Sequence, residues 1–188
     1  YDRFGTTGSL GRWMMKMSAS IQLNLDYSSA EEAAQLAFLT DTLQPFLSLI
    51  FANVPFMNGK PTGKRNMRLD IWEDTDPSRC GGLLGHGITT DEELLSEFAK
   101  LTAEAPAIFG KDSRGNISLF DGTIGDWLES ISTSRELCNQ DGLTALHQIF
   151  AHVRFKDVLE IRTPDRPPFG YELAPAAFIT GLLQAPCC

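Results

Sequence analysis

Val158-Leu159-Glu160-Ile161-Arg162-Thr163-Pro164-Asp165 is the stretch on which the reading of the chain turns. It opens as a strand and ends in a turn that runs on through Pro167 and Pro168. Alternate strand side chains share a face, so Glu160 and Arg162 point one way while Leu159 and Ile161 point the other. A carboxylate beside a guanidinium suits two tasks: the acid can hold a hard divalent cation, and the arginine can grip a phosphate through two parallel hydrogen bonds. The same pair also fits a plain cross-strand ion pair on a wet sheet face. Two other segments repeat the pattern and shift the balance toward a site.

The first is Ser18 to Tyr27, an alternating strand with Ile21, Leu23 and Leu25 on one face and Ser20, Gln22, Asn24 and Asp26 on the other. The second is Met67-Arg68-Leu69-Asp70-Ile71-Trp72, read as a strand that places Arg68, Asp70 and Trp72 together. If the polar faces line one concavity, they offer Gln22, Asn24 and Asp26, then Arg68, Asp70 and Trp72, then Glu160 with Arg162. That set could hold a metal, a polyphosphate and an amino acid. It contains no serine–histidine or cysteine–histidine arrangement for covalent hydrolysis.

Around these strands the sequence reads mostly as helix and loop. Ser29-Ala30-Glu31-Glu32 is a capping box that opens a helix, which Pro45 should kink or divide. Thr90-Asp91-Glu92-Glu93 opens a second helix through Ala103, with Leu94, Leu95, Phe98 and Leu101 buried. Thr123 caps a third, with Ile124, Trp127, Leu128 and Ile131 inward, and Gly142 to Ala151 reads as a fourth. Ala174-Pro175 starts a last helix that buries Phe178, Ile179, Leu182 and Leu183. The glycine-rich residues 1–13 and Asn53 to Asn66 read as loops, and Asn116 to Phe120 as a short strand. His86 has no assigned role, and His147 reads as a packed rather than a catalytic histidine. Mixed elements without regular β-α-β alternation, and strands with one polar face, imply an α+β fold with an antiparallel sheet.

Composition narrows the function classes. The 188 residues suit one domain or a large part of one. A net charge of −8 with scattered cations argues against a nucleic-acid groove or an anionic membrane surface. The apolar runs are too short to span a membrane. The four cysteines, Cys80, Cys138, Cys187 and Cys188, form no Cys-x-x-Cys pair, and the sequence is read as that of a cytoplasmic protein in a reducing setting. A start at Tyr1 and a stop after Cys187-Cys188 are read as marking the C-terminal part of a longer protein.

Many pieces in one order carry a resemblance along nearly the whole chain: Gly8-Ser9-Leu10-Gly11 with Met14-Met15; Gln22-Leu23-Asn24-Leu25-Asp26-Tyr27-Ser28-Ser29; Leu43-Gln44-Pro45; Leu49-Ile50-Phe51-Ala52-Asn53; Gly59-Lys60-Pro61; Met67-Arg68; Ile71-Trp72; Asp74-Thr75-Asp76 with Arg79; Asp126-Trp127; Leu159-Glu160-Ile161-Arg162; and Ala174-Pro175-Ala176-Ala177-Phe178. The sequence resembles the plant and proteobacterial type of glutamate–cysteine ligase, in the glutamine-synthetase-like superfamily of carboxylate–amine ligases. The resemblance implies a curved antiparallel sheet forming a catalytic cup with helices packed outside, here incomplete. It also implies ATP-dependent joining of glutamate to cysteine through a γ-glutamyl phosphate, with ATP as substrate and Mg2+ as cofactor. Carried over by position, Glu160 is the magnesium ligand and Arg162 holds the transferring phosphoryl group. Arg68 and Trp72 are placed at glutamate, and Gln22 and Asn24 at nucleotide or metal. Expected partners are glutamate, cysteine, ATP and the missing N-terminal part of the same protein, with no nucleic acid and no membrane.

Asp70 stands where relatives carry histidine, and Lys16-Met17-Ser18 also departs from the pattern, which opens the acceptor amine to question. Two other readings follow: a γ-glutamyl ligase with another acceptor, or a shortened non-catalytic homologue that binds an amino acid or nucleotide.

Overall fold

A computed structural model describes residues 3–112 and 114–184. The chain enters through a 3-10 turn, Arg3–Gly5, and helix α1, Gly11–Met17, where the sequence reads as loop. Its glycines serve close backbone approach. A Cβ on Gly8 would collide with the carbonyl of Asp74, and one on Gly11 with that of Phe4. Strand β1, Leu23–Leu25, is shorter than expected, but exposure still alternates from Ile21 to Tyr27.

Helix α2, Ala30–Thr42, begins where the Ser29 hydroxyl accepts from the Glu32 N–H, and the Glu32 carboxylate reaches back to the Ser28 N–H at 2.6 Å. Pro45 divides the helical run as expected, and α3 covers Gln44–Ile50. The expected loop after it holds a hairpin, β2 at Phe56–Met57 and β3 at Lys60–Pro61. Its turn residues Asn58 and Gly59 both take positive φ, 53° and 72°, as the two-residue turn between twisted strands requires.

Met67–Glu73 is a helix, α4, and not the strand read from alternation. Asn66 caps it, its side-chain oxygen accepting from the Leu69 N–H at 3.0 Å. Six alternating residues fit either period, and the cap decides. Next come β4, Cys80–Gly81, a 3-10 turn at Leu84–His86, and α5, Leu94–Glu104, which starts after the Thr90 box rather than within it. Leu94, Phe98 and Thr102 form its buried stripe, while Leu95 is exposed. Strands β5, Gly110–Lys111, and β6, Ile117–Ser118, form a small hairpin. Helix α6, Ile124–Ser132, carries a full capping box between Thr123 and Asp126. Helix α7, Asn139–Leu146, ends before Phe150, so the helix expected through Ala151 gives way to β7, Phe150–Ala151. Strands β8, Val153–Phe155, and β9, Leu159–Ile161, then precede α8, Ala174–Gln184. In α8 Ile179 is buried, but Phe178 and Leu182 are exposed, against expectation.

The central sheet is antiparallel in the order β1-β9-β8. Register places Leu23, Ile161 and Val153 in one row, Asn24, Glu160 and Arg154 in the next, and Leu25, Leu159 and Phe155 in the third. The outer rows point into the core, where Val153, Leu159 and Ile161 are fully buried against α2, α5, α6 and α8. Each such side chain contributes about 1.5–3 kcal/mol. The middle row faces the other way. A two-residue parallel pair, β4 with β7, is an addition to the antiparallel expectation. The fold is α+β.

Candidate functional site

The face opposite the core collects the charge. Glu160 sits in the middle strand, its side chain 3% exposed, with cations on three sides. Arg154, across from it on β8, holds Glu160 Oε2 through Nε at 2.9 Å and Nη2 at 2.7 Å. Arg162, two residues along β9, gives Nη1 to the same oxygen at 2.7 Å. Lys156, two residues beyond Arg154, meets Oε1. In the amide orientation that suits both neighbours, Gln22 donates to Glu160 at 3.2 Å and accepts from Arg162 at 3.3 Å. Burial alone would raise the Glu160 pKa, but Lys156, Arg162 and Arg154 outweigh it and hold the value at about 2. One carboxylate among three cations leaves surplus positive charge on a chain whose net charge is −8.

The cations are not equivalent. Arg154 is fully committed, since Nη1 also bonds the carbonyls of His147 and Ile149. In Arg162, Nη1 is the only guanidinium nitrogen with a hydrogen-bond partner among the described residues. Its guanidinium stacks 5.3 Å from the Trp72 ring and 5.9 Å from that of Phe150. Arg162 is thus held in orientation with donors to spare.

Helix α4 brings the next pair. Arg68 and Trp72, four apart, share a face because the segment is helical. Arg68 donates to the carbonyls of Thr163 at 3.0 Å and Arg162 at 2.9 Å, pinning α4 to the end of β9. Burial brings its pKa down to about 10, with Asp165 opposing, so it stays charged. Arg68, Trp72, Phe150, His152, Arg162 and Thr163 line one narrow cleft that opens to solvent. Trp72 Nε1 is buried there without a partner among the described residues.

The structure therefore brings Glu160, Arg162, Gln22, Arg68 and Trp72 together, with Asn24 in register opposite Glu160. It sets Asp70 apart: its side chain meets Lys64 at 2.5 Å and does not line that cleft. Sequence reading missed Arg154 and Lys156. Their signal was present in Val153-Arg154-Phe155-Lys156, an alternating run absorbed into the space between two other elements. His147 is exposed rather than packed, and His86 bonds the Cys80 carbonyl at 2.8 Å. Asp76 is buried on Arg79 as part of the scaffold.

A divalent ion does not fit Glu160 within this arrangement. Both carboxylate oxygens are occupied by cations, and the described residues contain no cluster of three metal-ligating side chains. The arrangement instead suits an anion: a rigid guanidinium and an ammonium with a carboxylate holding them in place.

Comparison of the sequence with known proteins identifies the family. The chain is 33% identical over 180 residues to a protein of Medicago truncatula named glutamate–cysteine ligase, chloroplastic, covering 94% of this chain and 35% of that protein. It is 33% identical over 181 residues to glutamate–cysteine ligase A, chloroplastic, of Oryza sativa subsp. indica, covering 94% of this chain and 36% of that protein. Against the Arabidopsis thaliana protein named glutamate–cysteine ligase, chloroplastic, identity is 33% over 179 residues, with 94% and 34% covered. The chain thus spans about a third of the length of the curated relatives it matches. The family model for glutamate-cysteine ligase family 2 matches residues 1–187, and the chain belongs to that family.

Proposed function

We propose that the protein works as an ATP-dependent ligase joining the side-chain carboxylate of glutamate to the amine of cysteine. The observation that carries the proposal is the surplus of fixed cations around Glu160. In the first step a glutamate carboxylate oxygen attacks the terminal phosphorus of ATP, and ADP leaves with the electron pair of the broken P–O bond. In the second, the cysteine nitrogen attacks the acyl carbon, inorganic phosphate leaves, and the amine loses a proton. Both steps move charge among phosphoryl oxygens, and positioned cations stabilise such charge most strongly in a site partly shielded from water.

Within this reading Arg162 grips the transferring phosphoryl group with its free donors, and Lys156 neutralises it as a point charge. Arg154 is a positioning residue that fixes Glu160, which in turn fixes Arg162. Trp72 and Arg68 wall the cleft in which glutamate is proposed to lie, and Gln22 and Asn24 border it on the nucleotide side. The sheet is proposed to be part of a glutamine-synthetase-like cup. Magnesium enters as the ion that accompanies ATP; a site at Glu160 requires carboxylates from outside the described residues, and no step is assigned to it. Cys80 and Cys138 are free thiols, in keeping with the proposed reducing, cytoplasmic setting. Among the described residues no helix is long and apolar enough to cross a membrane.

The test is ADP formation from Mg-ATP and glutamate, with and without cysteine. Cysteine-dependent ADP release with γ-glutamylcysteine as product is expected. Release with a different amine would transfer the reading to another acceptor, and a folded protein without turnover would leave either a part of the ligase that needs the rest of the protein or a binding homologue.

A further inference from the structure

Asp165 is fully buried three residues beyond Arg162, and the proposed ligation makes no use of it. Its Oδ2 accepts the Asn53 N–H at 2.8 Å. Its Oδ1 has no hydrogen-bond partner among the described residues and lies 3.8 Å from Arg68 Nη1. A carboxylate at this depth needs a counter-charge, and Arg68 is the cation paired with it. The dependence is mutual. Burial, the larger cause, and the neighbouring Arg162 both lower the Arg68 pKa, and Asp165 opposes them.

The fork of Arg68 is spent on backbone, with Nη1 on the Thr163 carbonyl and Nη2 on that of Arg162. That second carbonyl belongs to the residue whose guanidinium holds Glu160 and lines the cleft. Asp165 also reaches α4 by a second route. Asn53 leads into Val54, whose carbonyl accepts the Met67 N–H at 2.9 Å where α4 begins. Asn53 Nδ2 closes the same corner on the Arg166 carbonyl at 2.8 Å. One carboxylate thus ties the end of β9 to α4 through a side chain and through the main chain. Helix α4 carries Trp72, whose ring centre lies 5.3 Å from the Arg162 guanidinium and 5.9 Å from that of Arg68. Two guanidiniums near one ring repel each other, and each has its own carboxylate: Glu160 for Arg162, Asp165 for Arg68.

We propose that Asp165 is a positioning residue for the anion clamp: by holding Arg68 on the carbonyls of Arg162 and Thr163, it fixes where the Arg162 guanidinium points. The inference rests on the reading of Arg162 as the phosphoryl grip and deepens it. Arg68 acts on Arg162 through the backbone, and Arg162 acts on the anion.

The experiment is calorimetric titration of tripolyphosphate into the intact protein and its variants, with a thermal melt on the same samples. Asp165→Asn keeps an amide oxygen for the Asn53 N–H and removes only the charge. By field alone, losing a negative charge beside a cation cluster tightens anion binding. Loss of position loosens it, so binding about fivefold weaker than in the wild type is expected. Asn53→Ala keeps the N–H on Asp165 and should bind within about twofold of the wild type. Arg68→Met and the double variant Arg68→Met with Asp165→Asn, which buries neither charge, should agree within about twofold, because Asp165 acts through Arg68. That pair decides the matter even if Asp165→Asn alone does not fold. Equal or tighter binding in Asp165→Asn, or a wider gap between the two Arg68→Met proteins, would overturn the positioning role and leave the clamp standing. A wild type that binds no tripolyphosphate would overturn the clamp itself, and this role with it.

Discussion

Two buried carboxylates sit among arginines in this molecule, and they are built to different ends. At Asp76 every valence is closed by the scaffold. Arg79, fully buried, gives Nε to Asp76 at 2.8 Å, Nη1 to the Gln148 carbonyl at 3.0 Å, and Nη2 to that of Pro106. The second oxygen of Asp76 takes the Ser78 hydroxyl at 2.6 Å and its N–H at 3.1 Å. Asp76 also meets Arg3 at 3.4 Å, so each carboxylate has more than one cation; at Glu160 there are three, and Arg162 among them keeps donors unspent. Burial and ion pairing alone therefore do not mark a site. What distinguishes the second cluster is a guanidinium with donors unspent, facing a cleft.

The comparison breaks first at Arg79. Arg79→Met should cost about 3–5 kcal/mol, because it leaves buried Asp76 with only the more exposed Arg3, at 3.4 Å, as counter-charge and strands the carbonyls that Arg79 held. It should lower the urea midpoint whether or not anions are present. Glu160→Gln should cost about 3 kcal/mol by the opposite imbalance, three cations without a counter-charge. Here tripolyphosphate should restore stability, and more in the variant than in the wild type. Thermal melts with and without the anion check both, and an anion rescue of Arg79→Met would erase the distinction drawn here.

Acid separates them less sharply. The Glu160 pKa is lowered from 4.5 to about 2, so the stability it contributes is full above about pH 4.5 and is lost as pH falls toward 2. Asp41, raised by burial to about 6, has the opposite sign: its ionisation opposes folding above pH 6, and that cost is relieved in acid. Melting temperature across pH 2–7 should therefore fall less in Glu160→Gln than in the wild type below about pH 4.5. The smallest expected effect is Trp72→Phe, which keeps a ring under Arg162 and should weaken anion binding by about 0.5–1 kcal/mol, or a few-fold in Kd.

The legible parts of the chain were those where one pattern had one meaning. Leu159-Glu160-Ile161-Arg162 could only split its charges from its aliphatics as a strand, and Ser29 and Thr123 announced helices through their caps. Met67 to Trp72 misled because six residues cannot distinguish period two from period 3.6. The deciding residue, Asn66, lay just outside the window that was read. Arg68 and Trp72 nevertheless reached the site, since the i and i+4 positions of a helix share a face as i and i+2 of a strand do. Asn58-Gly59 carries a hairpin signal that the flanking Pro55 and Pro61 mask. Arg154 and Lys156 went unread because a strand of three residues, Val153–Phe155, is too short to stand out without its partner.

The central claim is that Arg162 works as an anion clamp while Arg79 works as scaffold. Titrating tripolyphosphate into the wild type and Arg162→Lys, with melting temperature read on the same samples, tests it most directly. Lysine keeps the charge and loses the fork. The account predicts at least tenfold weaker binding with melting temperature nearly unchanged. Equal binding in the two proteins, or a collapse of stability in Arg162→Lys like that of Arg79→Met, would contradict it.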